Sequence, residues 1–234
     1  MRATLAALAL TTALAAPAFA QPAAPPKGPE RFAPEIAAFE AADRAQTIAP
    51  CSVLFVGSSS IRFWRSLAAD MAPIKVLNRG FGGSEISDVD FYFDKVVTPY
   101  HPRAIVFYAG DNDVNSGKSA ERIAGDFTRF MELKDKALGK ATPVYFISVK
   151  PSKLRWSQFA AQGEVNAKVR AMAARRHDLH YVDVVPAMLA DGKPKDVYVA
   201  DGLHMTPEGY ALWTAVIRPV VQREAASPTA CKAA

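Results

Sequence analysis

The sequence predicts an α/β fold, a three-layer sandwich with a five-stranded parallel sheet flanked by helices. Three observations predict it. Short runs rich in β-branched and aromatic residues alternate with helical patterns. Those runs lack polar–apolar alternation, as expected of strands covered on both faces. No internal repeat occurs, and low-complexity composition is confined to the two termini.

Taken in order, residues 1–20 read as a secretory signal peptide. Arg2 supplies a positive start, residues 5–16 an apolar stretch, and Ala18-Phe19-Ala20 a small-x-small cleavage site before Gln21. Pro17 breaks the apolar run short of the ~20 residues a membrane span needs, so no stable membrane anchor is expected. The expected location is the periplasm or the medium. Residues 21–33, rich in Pro and Ala, read as a disordered leader. The domain proper is expected over residues 34–224, with a tail at 225–234.

Within the domain, Pro34 opens a helix that places Ile36, Phe39 and Ala42 on one face. Val53, Leu54, Phe55 and Val56 form the first strand, ending at Gly57. Residues 75–78 form the second, ending at Arg79-Gly80, with a helix expected from Asp88. Residues 104–108 form the third, ending at Ala109-Gly110. Ser119 is placed to cap a long helix over residues 120–138. Residues 144–148 form the fourth strand, followed by a helix over 164–177. Residues 181–183 form the fifth, and Pro207 opens the last helix.

The sequence has 234 residues, 214 of them after the expected cleavage, which suits one α/β domain. Lys and Arg total 28 against 23 Asp and Glu, a net charge of +5. The basic residues are scattered, with Arg175-Arg176 and the Lys193/Lys195 pair the densest, so no nucleic-acid stripe exists. Cys51 and Cys231, the only two cysteines, lack metal-ligand spacing. In an exported chain they are placed to form a disulfide tying the tail to the segment before the first strand, worth roughly 2–4 kcal/mol.

In a parallel sheet, sites gather at the carboxyl ends of the strands. Three polar islands fall there: Gly57-Ser58-Ser59-Ser60, Gly80-Phe81-Gly82-Gly83 and Gly110-Asp111-Asn112-Asp113. A fourth, Asp201-Gly202-Leu203-His204, precedes the last helix. Ser59 is a candidate nucleophile two residues beyond Gly57; the plainer reading has Ser58, Ser59 and Ser60 capping the next helix. Gly83 is a candidate backbone donor or simply a residue tolerating positive φ. Asn112 offers a neutral amide to an oxyanion. A loop starting at Asp111 does not fit the EF-hand calcium pattern, since Ser116 and Arg122 stand where Gly and an acid are required. Asp201 lies three residues before His204, close enough to hold one ring nitrogen. His101, His177 and His180 lack a carboxylate at comparable spacing in a strand-end loop, and the latter two flank the start of the fifth strand.

Joined in this order, the islands resemble the SGNH/GDSL hydrolase family of esterases and lipases, over residues 53–220. The family's Ser, Gly, Asn and His match Ser59, Gly83, Asn112 and His204. The resemblance implies an SGNH-hydrolase, flavodoxin-like sheet with Ser59 as nucleophile, His204 as general base and Asp201 as orienting acid. It implies an oxyanion hole of the Ser59 and Gly83 N–H groups and the Asn112 side chain, and no metal or organic cofactor. Two departures stand out. The usual Gly-Asp-Ser opening reads Gly57-Ser58-Ser59, where counting from Gly57 to Trp64 supports Ser59, with Ser60 next in line. Asp111 stands where Thr is commoner.

The implied function is an exported carboxylic ester hydrolase acting on a small-molecule ester or an acylated glycan. Two alternatives keep the fold: an acyltransferase or O-deacetylase of cell-envelope carbohydrate, and a binding module without catalysis. Arg155, Trp156 and Phe159 follow the fourth strand as a candidate substrate rim, Trp156 being the candidate binding residue.

Overall fold

The computed structural model describes residues 28–46, 48–49 and 51–226. Five parallel strands, β1 (Val53–Gly57), β2 (Val76–Gly80), β3 (Ala104–Tyr108), β4 (Val144–Ile147) and β5 (Leu179–Val182), lie in the order β2-β1-β3-β4-β5. The order reverses between β1 and β3, so the crevice expected to take ligands lies where those two strands end.

The helices are α1 (Ala33–Ala45), α2 (Ser59–Arg62), α3 (Leu67–Asp70), α4 (Ile86–Phe91), α5 (Phe93–Val96), α6 (Asp111–Asn115), α7 (Ala120–Leu138), α8 (Phe159–Ala173), α9 (Val185–Met188) and α10 (Pro207–Ala226). Because successive strand residues face opposite ways, the sheet feeds two cores. Leu54, Val56, Ile105, Phe107, Val144 and Phe146 join Phe127 and Phe130 of α7 and Val165 of α8. Val53, Phe55, Val106, Tyr108 and Ile147 join Trp64 and, on α10, Tyr210 and Trp213. Each fully buried large apolar side chain contributes about 1.5–3 kcal/mol. Both faces are therefore sealed, and polar chemistry is pushed to the strand ends.

Several boundaries differ from expectation. The leader ends before residue 33: Pro29–Phe32 is a 3-10 turn, and Phe32 is buried with its ring 5.0 Å from Phe81. The helix expected from Asp88 begins at Ile86, because Glu85 and Asp88 form a capping box around its first turn. The helix expected over 164–177 is α8, beginning at Phe159 and ending at Ala173. Its buried residues, Gln162, Val165, Asn166 and Val169, are half polar, so apolar periodicity understates its inward face. The fifth strand begins at Leu179, in register with Val144, and thus contains His180, whose ring stacks on Tyr145. Ser119 caps α7 as expected, its Oγ accepting from the Arg122 N–H.

The expected signal peptide and residues 21–27 lie outside the described residues, as do residues 227–234; residues 225–226 belong to α10. Cys51 is disulfide-bonded, while Cys231 lies outside the described residues. No described helix is long and apolar enough to cross a membrane.

Candidate active site

Gly57 ends β1 with φ 131°, and a Cβ there would lie 1.9 Å from the Tyr108 carbonyl oxygen. Only glycine lets the chain turn this close to β3. The Ser58 N–H then donates to that same carbonyl at 2.9 Å, and α2 starts at Ser59. Ser58 makes no side-chain cap bond, so helix capping does not account for the serine run. Ser59, as the first residue of α2, has no intrahelical acceptor for its N–H.

His204 reaches Ser59 across 145 residues of sequence: its Nε2 lies 2.8 Å from Ser59 Oγ. Its Nδ1 lies 2.6 Å from Asp201 Oδ2. Asp201 Oδ1 accepts from the Leu203 and His204 N–H groups at 2.8 and 2.9 Å. Burial opposes ionisation of Asp201, but the His204 ring and the two N–H donors outweigh it and hold its pKa to about 2. An ionised carboxylate only accepts, so Nδ1 carries the hydrogen. Neutral His204 then has a bare Nε2 facing the Ser59 hydroxyl. The Phe63 ring packs edge-on against the imidazole at 4.9 Å and walls one side.

The loop carrying this pair is held from three sides. Val199 N–H donates to the His204 carbonyl at 2.8 Å, Leu154 N–H donates to Gly202 O at 3.0 Å, and Lys150 Nζ donates to Leu203 O at 2.8 Å. Gly202 takes φ 66° at the tip. On the next helix, the Tyr210 hydroxyl donates to Ser60 O at 3.0 Å, and its ring stacks on Trp64. The α10 end of the site is thereby fastened to the α2 end.

Two of the candidate oxyanion groups, Gly83 and Asn112, lie at the loop after β2. Phe81 N–H and Ser84 Oγ–H both donate to Gly57 O, at 3.0 and 3.2 Å, drawing the loop onto the β1 terminus. Gly82 N–H donates to Glu35, which also pairs with Arg62 at 3.1 Å. Gly83 has φ 77° and open space on its Cβ side. Asn112 Nδ2 donates to Ser84 O at 2.9 Å, placing the amide beside that turn.

Two groups acquire partners that spacing did not reveal. Arg155 is not an open rim: its side chain is 11% exposed and turns inward to Asp111 and Asn112. Trp156 is half-buried, and its ring stacks on Phe159 at 4.6 Å. Lys150 is wholly buried; desolvation brings its pKa down to about 8, with the Arg155 charge adding to the fall and Asp111 and Asp201 opposing it. The only signal for either cation was its position just after β4. Among the described residues, no group of three or more His, Cys, Asp or Glu is arranged to hold a metal.

The sequence pattern of the GDSL-like lipase/acylhydrolase family matches residues 51–212, from just before β1 into α10. The chain belongs to that family. It is thus a hydrolase with an α/β SGNH fold, and ester hydrolysis is the family's broad activity. No curated protein sequence matches it. Among solved structures, a GDSL-like lipase from Bacteroides thetaiotaomicron superposes with a TM-score of 0.66 at 23% identity, over 83% of this chain and 97% of that one. A family 3 carbohydrate esterase from Talaromyces cellulolyticus gives 0.61 at 18% identity, over 75% and 99%. An acetyl esterase mutant with acetate ion gives 0.60 at 18%, over 74% and 98%.

Proposed function

We propose that this GDSL hydrolase is an exported serine esterase that cleaves carboxylic esters through an acyl-enzyme. The observation that carries the reading is the continuous hydrogen-bonded chain from Ser59 Oγ through His204 to Asp201. Ser59 Oγ attacks the ester carbonyl carbon while its proton passes to His204 Nε2. The carbonyl oxygen becomes an oxyanion facing the Ser59 and Gly83 N–H groups and the Asn112 amide. Collapse breaks the bond to the alcohol oxygen, which takes the proton from Nε2 and leaves. Water then adds to the acyl-Ser59 carbonyl, giving a proton to Nε2. Breakdown of the second intermediate returns that proton to Ser59 Oγ and frees the acid. Asp201 stays ionised throughout and stabilises the transient imidazolium.

Small acyl groups on alcohols or sugars are the substrates favoured here. The acetyl and carbohydrate esterases that share the fold support this choice. Export rests on the signal-like residues 1–20 and on the disulfide at Cys51, a bond that persists in oxidising compartments.

Ser59→Ala should lower turnover of p-nitrophenyl acetate and of acetylated xylan by at least about 10³-fold, with an unchanged unfolding midpoint. The parent protein should be labelled by a fluorophosphonate and the variant should not. Undiminished hydrolysis by Ser59→Ala sinks the assignment. Product analysis with added alcohols separates hydrolysis from acyl transfer.

A further inference from the structure

The side chain of Asn112 has both ends fixed by partners of opposite character. Its Nδ2 faces the Ser84 carbonyl at 2.9 Å, an acceptor only. Its Oδ1 faces Arg155 Nη2 at 3.1 Å, a donor only. A flipped amide would set N–H against guanidinium and oxygen against carbonyl, two repulsive contacts in place of two hydrogen bonds. One N–H goes to Ser84 O, and no other acceptor among the described residues takes the second.

Arg155 is itself held. Its Nη1 pairs with Asp111 Oδ2 at 3.0 Å, and the other oxygen of Asp111 accepts from Gln162 Nε2 at 2.9 Å. Asp111 and Gln162 are buried, and Arg155 nearly so. The chain Gln162–Asp111–Arg155–Asn112 therefore runs from inside α8 to the amide. A cationic donor on Oδ1 also draws electron density from the amide and strengthens the remaining N–H as a donor.

We infer that Arg155, anchored by Asp111, is a positioning residue that fixes and polarises the Asn112 amide for the transition-state oxyanion. This rests on the proposed role of Asn112 in that hole. Arg155 touches no reacting atom; it acts through Asn112 alone. Its removal should therefore lower kcat and leave KM nearly unmoved, because the ground-state carbonyl gains little from the amide.

A double-mutant cycle tests this on the full chain with p-nitrophenyl acetate. Asn112→Ala should reduce kcat by about 10²–10³-fold. Arg155→Met should reduce it by about 10–100-fold in the parent background, with KM changed by less than about 3-fold. In the Asn112→Ala background the same Arg155→Met change should cost less than about 2-fold, since the group it acts on is gone. An equal loss in both backgrounds overturns the inference and leaves the oxyanion role of Asn112 standing. Full activity in Asn112→Ala removes that role and the inference with it. Unfolding midpoints are measured for each variant. Where Arg155→Met does not fold, Asp111→Asn, which keeps the volume but removes the counter-charge, is read through the same cycle with the same outcomes.

Discussion

The two edges of the sheet both carry buried charge, yet they are built differently. At the amino edge, where β4 and β5 begin, Lys134 and Arg176 face Asp135 and Asp178. Lys134 pairs with both carboxylates, at 2.7 Å to Asp135, and Arg176 pairs with them at 2.8 and 2.7 Å. Two cations meet two anions, and the spare Lys134 hydrogen goes to Gly139 O. At the carboxyl edge, the Asp201–His204 chain ends in a hydroxyl, and the Arg155–Asn112 chain ends in an amide with an N–H to spare. Asp178 and Asp201 are both held below the ordinary carboxylate range against the effect of burial, by cations in one case and by His204 and N–H donors in the other. A depressed acid therefore does not distinguish the edges. The carboxyl edge is set apart by capacity left open.

The largest effect expected within that contrast comes from Asp201→Asn. An amide at this position no longer compels Nδ1 to carry the hydrogen and supplies no charge opposite the imidazolium. Turnover of p-nitrophenyl acetate should fall by about 10²–10⁴-fold. The stability should barely move, because Asp201 is an exposed loop residue whose side chain is 44% accessible. A variant that keeps its rate would break the equation of open capacity with function.

The reverse result is expected from Lys134→Met. Breaking a buried pair costs roughly 3–5 kcal/mol, and the lower end applies because Arg176 still meets both carboxylates. Urea unfolding measures the loss, while kcat per folded molecule should stay within about 2-fold. The pH dependence has a fixed sign. Asp178 is depressed in the folded state, so its contribution is present above its ordinary value of 3.8 and fades as acid protonates it. The gap between parent and variant should therefore narrow below pH ~4. A gap that widens in acid would mean that the network is not carried by the carboxylates.

What could be read from the chain followed its local physics. The apolar strand runs, the Ser119 cap and the Pro207 helix start are each written in adjacent residues, and so is the Asp201–His204 pair. The α8 start was hidden because Gln162 and Asn166 face inward, one toward Asp111 and the other toward the Val149 backbone. Phe32 looked like leader because nothing near it in sequence shows that Phe81 receives its ring. Arg155 and Lys150 act on partners 43 and 53 residues away, a distance over which spacing carries no signal. Asp111, which had no local rationale, finds one only once Arg155 is folded against it.

The smallest expected effect sharpens the contrast from within the carboxyl edge. Lys150 donates to Leu203 O from a fully buried position and lies 5.2 Å from the Tyr198 ring, yet no carboxylate among the described residues pairs with it. With its folded pKa lowered to about 8 from 10.5, the unfolded chain binds more protons between those values. The Lys150 contribution to stability therefore rises with pH across that window and is unfavourable below it. Lys150→Met removes the buried charge but leaves the Leu203 carbonyl without its donor, so the two changes offset near pH 7 to within about 1–2 kcal/mol. The distinguishing measurement is the slope: parent stability should gain relative to Lys150→Met as pH rises from about 8 toward 10.5. Parallel profiles for the two proteins would show that Lys150 titrates as it does in water, and that the loop carrying His204 is not tethered by a desolvated ammonium.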